Sequence, residues 1–217
     1  NANSFIFNGI AYLPPNIIKI DQQSFSANSY DLFFVYGPNV EVIGEEAFDS
    51  NFRLRKAIFP KVKRIEDSAF AFNNMLSSVF APLCVDLGQR VFNWTVNLNS
   101  IQINPKVLKQ NVFRNCGLKT FSSLGVEKIE KLAFQSAGIE NLICENCKEI
   151  EEKAFQEVRS RVRVQTKCGD LEGRDDFQVV QIIDQRGQMK QMNQIFESLN
   201  AKMLKKRIKV QKEFLFE

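Results

Sequence analysis

The sequence contains no histidine, and this absence excludes several kinds of active site. Histidine is the usual general base near neutral pH and the most common metal ligand in proteins. Neither a Ser-His-Asp nor a Cys-His arrangement can therefore be built. The ten glycines form neither a Walker-type phosphate loop nor a GxGxxG motif, so those two routes to nucleotide binding are missing as well. We therefore expect a protein that is not an enzyme and that binds no cofactor.

Cysteine is scarce and odd in number, and long apolar runs are missing. Five cysteines in 217 residues disfavour a disulfide framework and favour a reducing compartment. No apolar run is long enough for a transmembrane segment. The first residues show no charged-then-apolar leader, but the chain begins at Asn1, so the compartment stays open. The sequon Asn93-Trp94-Thr95 argues weakly for secretion, and the sequence as a whole slightly favours a cytoplasmic or cytoskeletal location over the cell surface.

The overall composition is that of an ordinary folded protein. Hydrophobic residues make up 44% of the chain and charged residues 25%, which allows a sizeable core. The net charge of +4 is too small to indicate nucleic acid by itself. We therefore expect no specific nucleic-acid partner.

One hexapeptide frame occurs seven times along the chain. It reads "IEDSAF" at 65, and recurs as "IDQQSF" at 20, "IGEEAF" at 43, "LGQRVF" at 87, "LKQNVF" at 108, "IEKLAF" at 129 and "IEEKAF" at 150. The phenylalanines that close the frames are Phe25, Phe48, Phe70, Phe92, Phe113, Phe134 and Phe155. Successive phenylalanines are 21 to 23 residues apart. A regular period of this length is the signature of a solenoid of stacked units.

Three further positions repeat with the same period. A branched aliphatic residue stands five residues before each phenylalanine, and a small or β-branched residue stands directly before it. The position eight residues before holds Ile17, Val40, Val62, Cys84, Pro105, Val126 and Cys147. A position repeated once per coil lies above its counterpart in the next coil. Each set therefore predicts a ladder of side chains in one continuous core.

A second block of the form L-x-x-L-x-L follows the middle phenylalanines. Its copies are "LRKAIF" at 54, "LSSVFA" at 76, "LNSIQI" at 98, "LKTFSS" at 118 and "IENLIC" at 139. The first, fourth and sixth positions are expected to point inward and the others outward, which predicts one short strand per coil. The copies near "INP" and "FSSLG" depart from the pattern, so we expect the coil width to vary there.

The "I-x-x-x-A-F" turn and the "L-x-x-I-x-F-P" strand, with a polar residue such as Asn51, Asn73 or Asn115 between them, resemble the BspA-type leucine-rich repeat. The resemblance covers roughly residues 5–165. It implies a leucine-rich-repeat horseshoe solenoid of about seven repeats of 21–23 residues. Together with a C-terminal helix, which the spacing of apolar residues beyond the repeats predicts, the expected fold class is α/β. The predicted domains are the solenoid at 1–167, with "FIFNGIAYLPPNIIKI" as its N-terminal cap, and a C-terminal loop and helix at 168–217.

The C-terminal tract has an apolar stripe at helical spacing. Its members are Met189, Met192, Phe196, Leu199 and Met203. An amphipathic helix of this kind either packs on the end of the solenoid as a cap or forms a coiled coil with a partner, in a helix-mediated assembly. Basic residues cluster between 202 and 212. They fit either a solvated face at the C-terminal end of the helix or an acidic partner, a membrane surface or nucleic acid.

Three cysteines raise the question of a zinc site. Cys144 and Cys147 are separated by two residues, and Cys168 follows about twenty residues later. A structural zinc site needs four ligands, and no histidine is available to complete it. Cys147 falls on the ladder of Val62, and Cys144 falls on the inward strand position of Phe59. We therefore interpret both as core residues and expect no metal site.

The outward positions of the strands form the predicted binding face. The central column holds Tyr36, Ile58, Phe80, Gln102, Ser122 and Ile143, and the flanking positions include Phe33, Phe34, Arg161 and Arg163. Exposed aromatic residues in a row are typical of a face that binds a partner. The alternative is a register shift by one residue, which would turn these side chains inward.

The sequence thus predicts a non-catalytic protein-protein interaction module, acting through the concave sheet, the C-terminal helix or both. The identity of the partner and the oligomeric state do not follow from it. BspA-like proteins are often cell-surface adhesins of bacteria and of parasitic protists, and the resemblance implies this role as one alternative. A fixed structural part of a large cytoskeletal or axonemal assembly, such as a scaffold, is the other.

Overall fold

The computed structural model describes residues 5–26, 31–168 and 171–181. The regular elements of these ranges are short strands. They are β1 (Ile6–Phe7), β2 (Ile10–Tyr12), β3 (Lys19–Ile20), β4 (Phe34–Tyr36), β5 (Val42–Ile43), β6 (Lys56–Ile58), β7 (Arg64–Ile65), β8 (Ser78–Phe80), β9 (Asp86–Leu87), β10 (Ser100–Gln102), β11 (Val107–Leu108), β12 (Thr120–Ser122), β13 (Lys128–Ile129), β14 (Asn141–Ile143), β15 (Glu149–Ile150), β16 (Val162–Thr166) and β17 (Phe177–Gln181).

Each regular coil of the solenoid consists of a three-residue strand, a two-residue strand and then a curved series of turns, called here the arc. The three-residue strands form one sheet in the order β1-β2-β4-β6-β8-β10, and the sheet β12-β14-β16-β17 holds their later counterparts. The two-residue strands form the sheets β3-β5-β7-β9 and β11-β13-β15. Strand pairs between coils are parallel, whereas β1 and β2 pair antiparallel as a hairpin at the N-terminal end.

The predicted inward register of the strand block is confirmed. In the block at 54, Leu54, Ala57 and Phe59 are fully buried, while the outward residues Lys56 and Ile58 are half-buried. The same alternation holds in the blocks at 76, 118 and 139, and Ile101 of the block at 98 is only partly buried. The binding-face residues in the strands therefore point out of the core, and the alternative of a register shift is wrong.

The seven phenylalanines that close the hexapeptides, called here the ladder phenylalanines, form a stack through the core. Neighbouring rings have centroids 5.0 to 5.8 Å apart and planes within 19° of parallel. Each is at most 3% exposed. The aliphatic ladder five residues earlier, from Ile20 to Ile150, is buried as well. The core therefore runs through every coil without interruption, as the period predicted.

Each arc depends on residues with left-handed backbone, which lie two positions before and two positions after the ladder phenylalanine. Those before are Gln23, Glu46, Ser68, Arg90, Asn111, Leu132 and Lys153, and those after are Ser50, Phe72, Trp94, Asn115, Ser136 and Glu157. Their φ angles lie between 52° and 61°. This conformation is uncommon for residues other than glycine.

The left-handed residues turn alternate backbone N–H groups toward the next coil. In the second arc, the N–H groups of Glu46, Phe48 and Ser50 donate to the carbonyl oxygens of Asp67, Ala69 and Ala71, at 3.0, 2.8 and 3.0 Å. The other N–H groups close turns within the same arc. The arc therefore satisfies its backbone without a helix or an extended strand.

In two coils, the polar residue between turn and strand is an asparagine whose side-chain amide binds backbone carbonyl oxygens. The amide of Asn73 donates to the carbonyl oxygens of Phe48 and Ala71, at 2.7 and 3.0 Å. Asn51 likewise donates to carbonyl oxygens of its own and the preceding arc. Asn115, grouped with them in the sequence, is different: it is one of the left-handed residues, and buried Cys116 holds the equivalent position. Asn115 therefore lies between turn and strand as predicted but in another role, because the segment from the ladder phenylalanine to the strand block is one residue shorter in this coil.

The solenoid changes register where the sequence pattern departs. Phe92 and Leu98 are six positions apart, whereas Phe113 and Leu118 are five apart. Both kinds of sheet break here, since β10 does not pair with β12 and β9 does not pair with β11. The side chain of Asn104 bridges the break by accepting hydrogen bonds from the Gly125 N–H at 2.7 Å and the Ser123 hydroxyl at 3.1 Å. The expected variation in coil width is thus a break between two sheets.

The described residues contain strands and turns without an α-helix, so the described part is a β-solenoid and the predicted α/β class is not reproduced there. The stripe from Met189 to Met203 lies outside the described residues. The chain divides into two compact units, Asn1–Gln181 and Ile182–Glu217. The first unit extends past the predicted domain end at residue 167, because β17 pairs with β16 over five residues.

A matched pair of leucines tests the core. Leu87 belongs to the aliphatic ladder and is 1% exposed, whereas Leu83, in the same coil, is 52% exposed. We expect Leu87→Ala to lower the free energy of unfolding by about 2–5 kcal/mol, because it leaves a cavity in the stack. Leu83→Ala should lower it by less than about 1 kcal/mol. Denaturant unfolding followed by circular dichroism measures both, and equal losses would contradict the fold.

A matched pair of glycines tests the change of register. A Cβ atom at Gly117 would lie 2.1 Å from the carbonyl oxygen of Val96, whereas one at Gly138, the equivalent position in the next coil, would lie 3.3 Å from its nearest atom. Gly117→Ala should therefore destabilise the protein by about 1–3 kcal/mol, because backbone must move. Gly138→Ala should have a clearly smaller effect in the same unfolding experiment. The reverse order would show that the short turn is placed wrongly.

Candidate functional site

The outward residues of the three-residue strands and their counterparts in β16 and β17 form two rows, called here the long-strand face. The first row holds Ile10, Phe34, Lys56, Ser78 and Ser100, and then Thr120, Asn141, Arg163 and Gln178. The second row holds Tyr12, Tyr36, Ile58, Phe80 and Gln102, and then Ser122, Ile143, Gln165 and Val180. The change of register separates the two parts of each row.

The N-terminal half of the long-strand face is apolar and aromatic along the second row as far as Phe80, whereas its first row turns polar after Phe34. Tyr12 and Ile10 are 42% and 40% exposed. The rings of Tyr12 and Tyr36 contact each other, with centroids 5.1 Å apart and planes tilted by 53°. Ile58 and Phe80 continue this row and are half-buried. The four side chains together form a continuous apolar stripe across four neighbouring strands.

The C-terminal half of the face is polar. Serine, threonine, asparagine and glutamine side chains dominate its rows, with exposed Arg163 between Asn141 and Gln178. Ile143 and Val180 are the apolar exceptions. The face therefore combines an apolar surface at one end with hydrogen-bonding groups and a positive charge at the other.

The structure places most of the predicted binding residues on this face, but two lie beside it. Phe33 precedes β4, is half-buried, and has the Arg55 guanidinium 5.9 Å above its ring. Arg161 precedes β16, and its guanidinium donates to the carbonyl oxygen of Arg174 at 2.9 Å. The predicted column is also not continuous, since Gln102 and Ser122 lie in different sheets. The site is thus two adjoining half-faces.

Sequence reasoning missed five members of the face, namely Ile10, Tyr12, Gln165, Gln178 and Val180. A signal for Tyr12 existed, because "AYLPPN" at 11 matches "VYGPN" at 35 in its Tyr-x-Pro core. Strand β2 precedes the first hexapeptide and so has no ladder phenylalanine before it. Without that reference position, the sequence did not show which residues of β2 point outward.

Comparison with known families gives a match to the BspA type leucine rich repeat region, with six copies over residues 7–119 and 85–168. The chain belongs to the BspA-type leucine-rich repeat family. A crystal structure of a leucine rich cell surface protein from Faecalibacterium prausnitzii is similar in fold, with a TM-score of 0.51 and 18% identity. The similarity covers 73% of this chain and 45% of that one, so this chain spans less than half of its structural relative. No curated protein sequence matches.

Two surface depressions of the BspA-type solenoid are lined by charged residues. The first has a volume of about 550 Å³, and its lining includes Lys131, Glu151 and Lys153. The second has a volume of about 400 Å³, and its lining includes Arg64, Asp86 and Lys109. The Asp86 carboxylate forms ion pairs with Nε of Arg64 at 2.7 Å and with Nζ of Lys109 at 3.2 Å. Burial raises the pKa of Asp86, but the two cations outweigh this effect and lower it below its usual value. Asp86 therefore stays ionised, unlike a general acid.

The cysteines behave as core residues. Cys84, Cys116, Cys144 and Cys147 are at most 2% exposed. Burial raises the pKa of Cys84 to about 12 and those of Cys116 and Cys147 to about 11. Within the described ranges, no cluster of three or more cysteine or carboxylate side chains is arranged to hold a metal ion. The placement of Cys144 and Cys147 agrees with the core interpretation.

The sequon is buried in the folded repeat. Asn93 is 8% exposed, and Thr95 is fully buried with its hydroxyl donating to the carbonyl oxygen of Phe92 at 2.7 Å. The predicted helix contacts at 189–203 lie outside the described residues. In the part of the chain that is described, no helix has the length and apolar character needed to cross a membrane.

Thiol labelling tests the placement of the cysteines. At pH 8, a thiol with a pKa near 11 is ionised in only about one molecule in a thousand, so the buried cysteines should react very slowly. Half-buried Cys168 should be labelled first by iodoacetamide in the folded protein, and all five cysteines should react in urea. Mass spectrometry of peptides gives the positions, with Cys168→Ser as the control. Rapid labelling of Cys84 or Cys147 would contradict the core.

Proposed function

We propose that this BspA-type solenoid is a non-catalytic interaction module that binds a protein partner on the long-strand face. The observation that supports this proposal is the apolar stripe of Tyr12, Tyr36, Ile58 and Phe80, which lies outside the core. A soluble fold gains little from large apolar side chains in contact with water, and contiguous exposed patches of this kind mark interaction sites.

The chemistry of the stripe suits a protein surface. Tyrosine side chains supply large apolar area together with a hydroxyl group, and they are enriched among the residues that contribute most to binding. The polar residues of the other half-face, with Arg163, provide hydrogen bonds that discriminate between partners. Binding would therefore be anchored at the N-terminal end and made selective at the C-terminal end.

The charged groups favour a non-enzymatic role. One carboxylate in each depression is held by a cation: Asp86 is held by Arg64 and Lys109, and Glu151 lies 2.8 Å from Lys128. Hydrogen bonds from Lys128 and from the Lys131 N–H lower the pKa of Glu151. Asp86 and Glu151 therefore act as links between coils, and the lowered pKa of each carboxyl group keeps it ionised, unlike a general acid.

Cell-surface adhesion is a second candidate. It is supported by the similarity in fold to the Faecalibacterium prausnitzii structure, which is that of a leucine rich cell surface protein. A fixed place in a cytoskeletal or axonemal assembly is a third, and it rests on the stripe at 189–203. The interaction role is common to all three, and they differ in the partner and in the part of the chain that holds it.

Affinity capture tests the long-strand face. The baits are the full chain, the double variant Tyr36→Asp with Phe80→Asp, and a truncation after Gly187. The control is the double variant Leu83→Asp with Val85→Asp. These two residues are 52% and 51% exposed and lie outside the long-strand face. We expect the Tyr36 and Phe80 pair to lose partners from native cell extract, because two charges disrupt the stripe. Mass spectrometry identifies the bound proteins, and circular dichroism confirms folding.

Two outcomes separate the alternatives. Partners lost only with the truncation would overturn the proposal in favour of the C-terminal tract. Partners lost equally with the control pair would show that any added charge interferes, and that the face is not the site.

A further inference from the structure

A second exposed apolar surface lies on the arcs, away from the long-strand face. Its members, called here the arc patch, are Phe52, Phe72, Met75, Trp94 and Val96. They are 42% to 51% exposed and belong to three neighbouring coils. Phe72 and Trp94 hold the same arc position in adjacent coils, and the Phe72 N–H donates to the carbonyl oxygen of Asn93 beside Trp94 at 2.8 Å. The two residues therefore hold neighbouring positions in adjacent coils.

The backbone of these two aromatic residues is unusual. Phe72 and Trp94 have φ angles of 56° and 58°. In four other coils the same arc position holds the polar residues Ser50, Asn115, Ser136 and Glu157. A left-handed conformation is a genuine outlier for bulky side chains, and polar residues fold the same arc elsewhere in this chain. The fold therefore does not require aromatic residues here, and strain retained at a surface position points to a function.

Opposite charges flank the aromatic pair. The row one position earlier on the arc reads Asp49, Ala71, Asn93 and Arg114 along four successive coils. Successive coils are about 4.8 Å apart, so the two charges lie roughly 14 Å from each other. Asp49 and Arg114 are therefore placed symmetrically about the midpoint between Phe72 and Trp94.

Both charges lack an ion pair within the described residues. Asp49 accepts a hydrogen bond from the Ser50 hydroxyl at 2.9 Å. Burial, which is the main effect, raises the pKa of Asp49, and the charge of Glu46 adds to it. Nε of Arg114 is buried and has no hydrogen-bond acceptor in that part of the chain. Within the chain, the Arg114 charge acts on Glu157, whose pKa it helps to lower, but the two groups form no ion pair. A carboxylate from outside could therefore still pair with Arg114, and a cation from outside would stabilise the ionised form of Asp49.

From this symmetry we infer that the arc patch is the interface between two copies of this chain, related by a two-fold axis between Phe72 and Trp94. A two-fold axis reverses the order of the coils, so Phe72 packs on the partner's Trp94. The same rotation places Asp49 against the partner's Arg114, and Arg114 against the partner's Asp49. An interface of this kind requires one surface that complements itself, and the arc patch meets that requirement in both apolar and charged groups.

The inference is independent of the proposed function, because it concerns a different surface and is tested with purified protein alone. Sedimentation velocity of the full chain over a concentration series up to about 1 mM, which reaches dimers with a binding free energy of about −4 kcal/mol, should show a monomer–dimer equilibrium. Phe72→Ser with Trp94→Ser uses the residue type that the solenoid itself has at this position. It should weaken dimerisation about tenfold or more. The control pair Leu83→Ser with Val85→Ser should leave it unchanged.

Charge exchange tests the two-fold pairing. Asp49→Arg alone and Arg114→Asp alone should each weaken the dimer, because like charges would then face each other across the interface. The double variant should restore the dimer, because each charge again meets its opposite. Thermal unfolding of each variant separates loss of dimer from loss of fold.

Three results would overturn the inference. The first is a wild-type chain that stays monomeric across the whole concentration series. The second is a dimer that persists in the Phe72→Ser with Trp94→Ser variant. The third is a dimer that dissociates equally in the Leu83→Ser with Val85→Ser control. Failure of the double charge variant to regain the dimer, while it remains folded, would overturn the pairing of Asp49 with the partner's Arg114.

Discussion

The transfer of backbone hydrogen bonds from each coil to the next is the constraint on which this solenoid depends. A strand does this naturally, because its N–H and C=O groups point sideways. An arc can do it only if the direction of its peptide groups alternates, and the left-handed residues on either side of each ladder phenylalanine provide that alternation. The ladder phenylalanine between them is the residue that fills the core. Backbone geometry and apolar packing are thus set by the same five-residue segment.

The core was predictable from the sequence because one position per coil always meets the same environment. Ile43 and Leu108 lie at the same depth in different coils, and the outward register of Tyr36 followed from the two-residue period of the strand. The left-handed rows were not predictable, since Glu46, Arg90 and Leu132 share no turn-forming chemistry. They are held there by hydrogen bonds to the next coil, which no local pattern shows.

The candidate sites show the same division. Tyr36, Ile58 and Phe80 were found because they alternate with core residues. The outward position of Tyr12 was not predicted because it precedes the first repeat. The exact place of the break between Gln102 and Ser122 was not predicted either, because it depends on the close approach of Gly117 to Val96. The aromatic pair of the arc patch was hidden for a further reason. Its residues occupy positions that vary between repeats, and their symmetry exists only once the coils are stacked.

The buried sequon has a consequence for the order of events in biosynthesis. Asn93 and Thr95 are closed in by neighbouring arcs, and an oligosaccharide on Asn93 would have no space in the stacked coils. A transferase could reach this asparagine only while the chain is still being threaded and before its fourth and fifth arcs meet. A glycan at Asn93 in a purified sample would therefore mark molecules that were modified before they folded, and whose solenoid is interrupted at that coil.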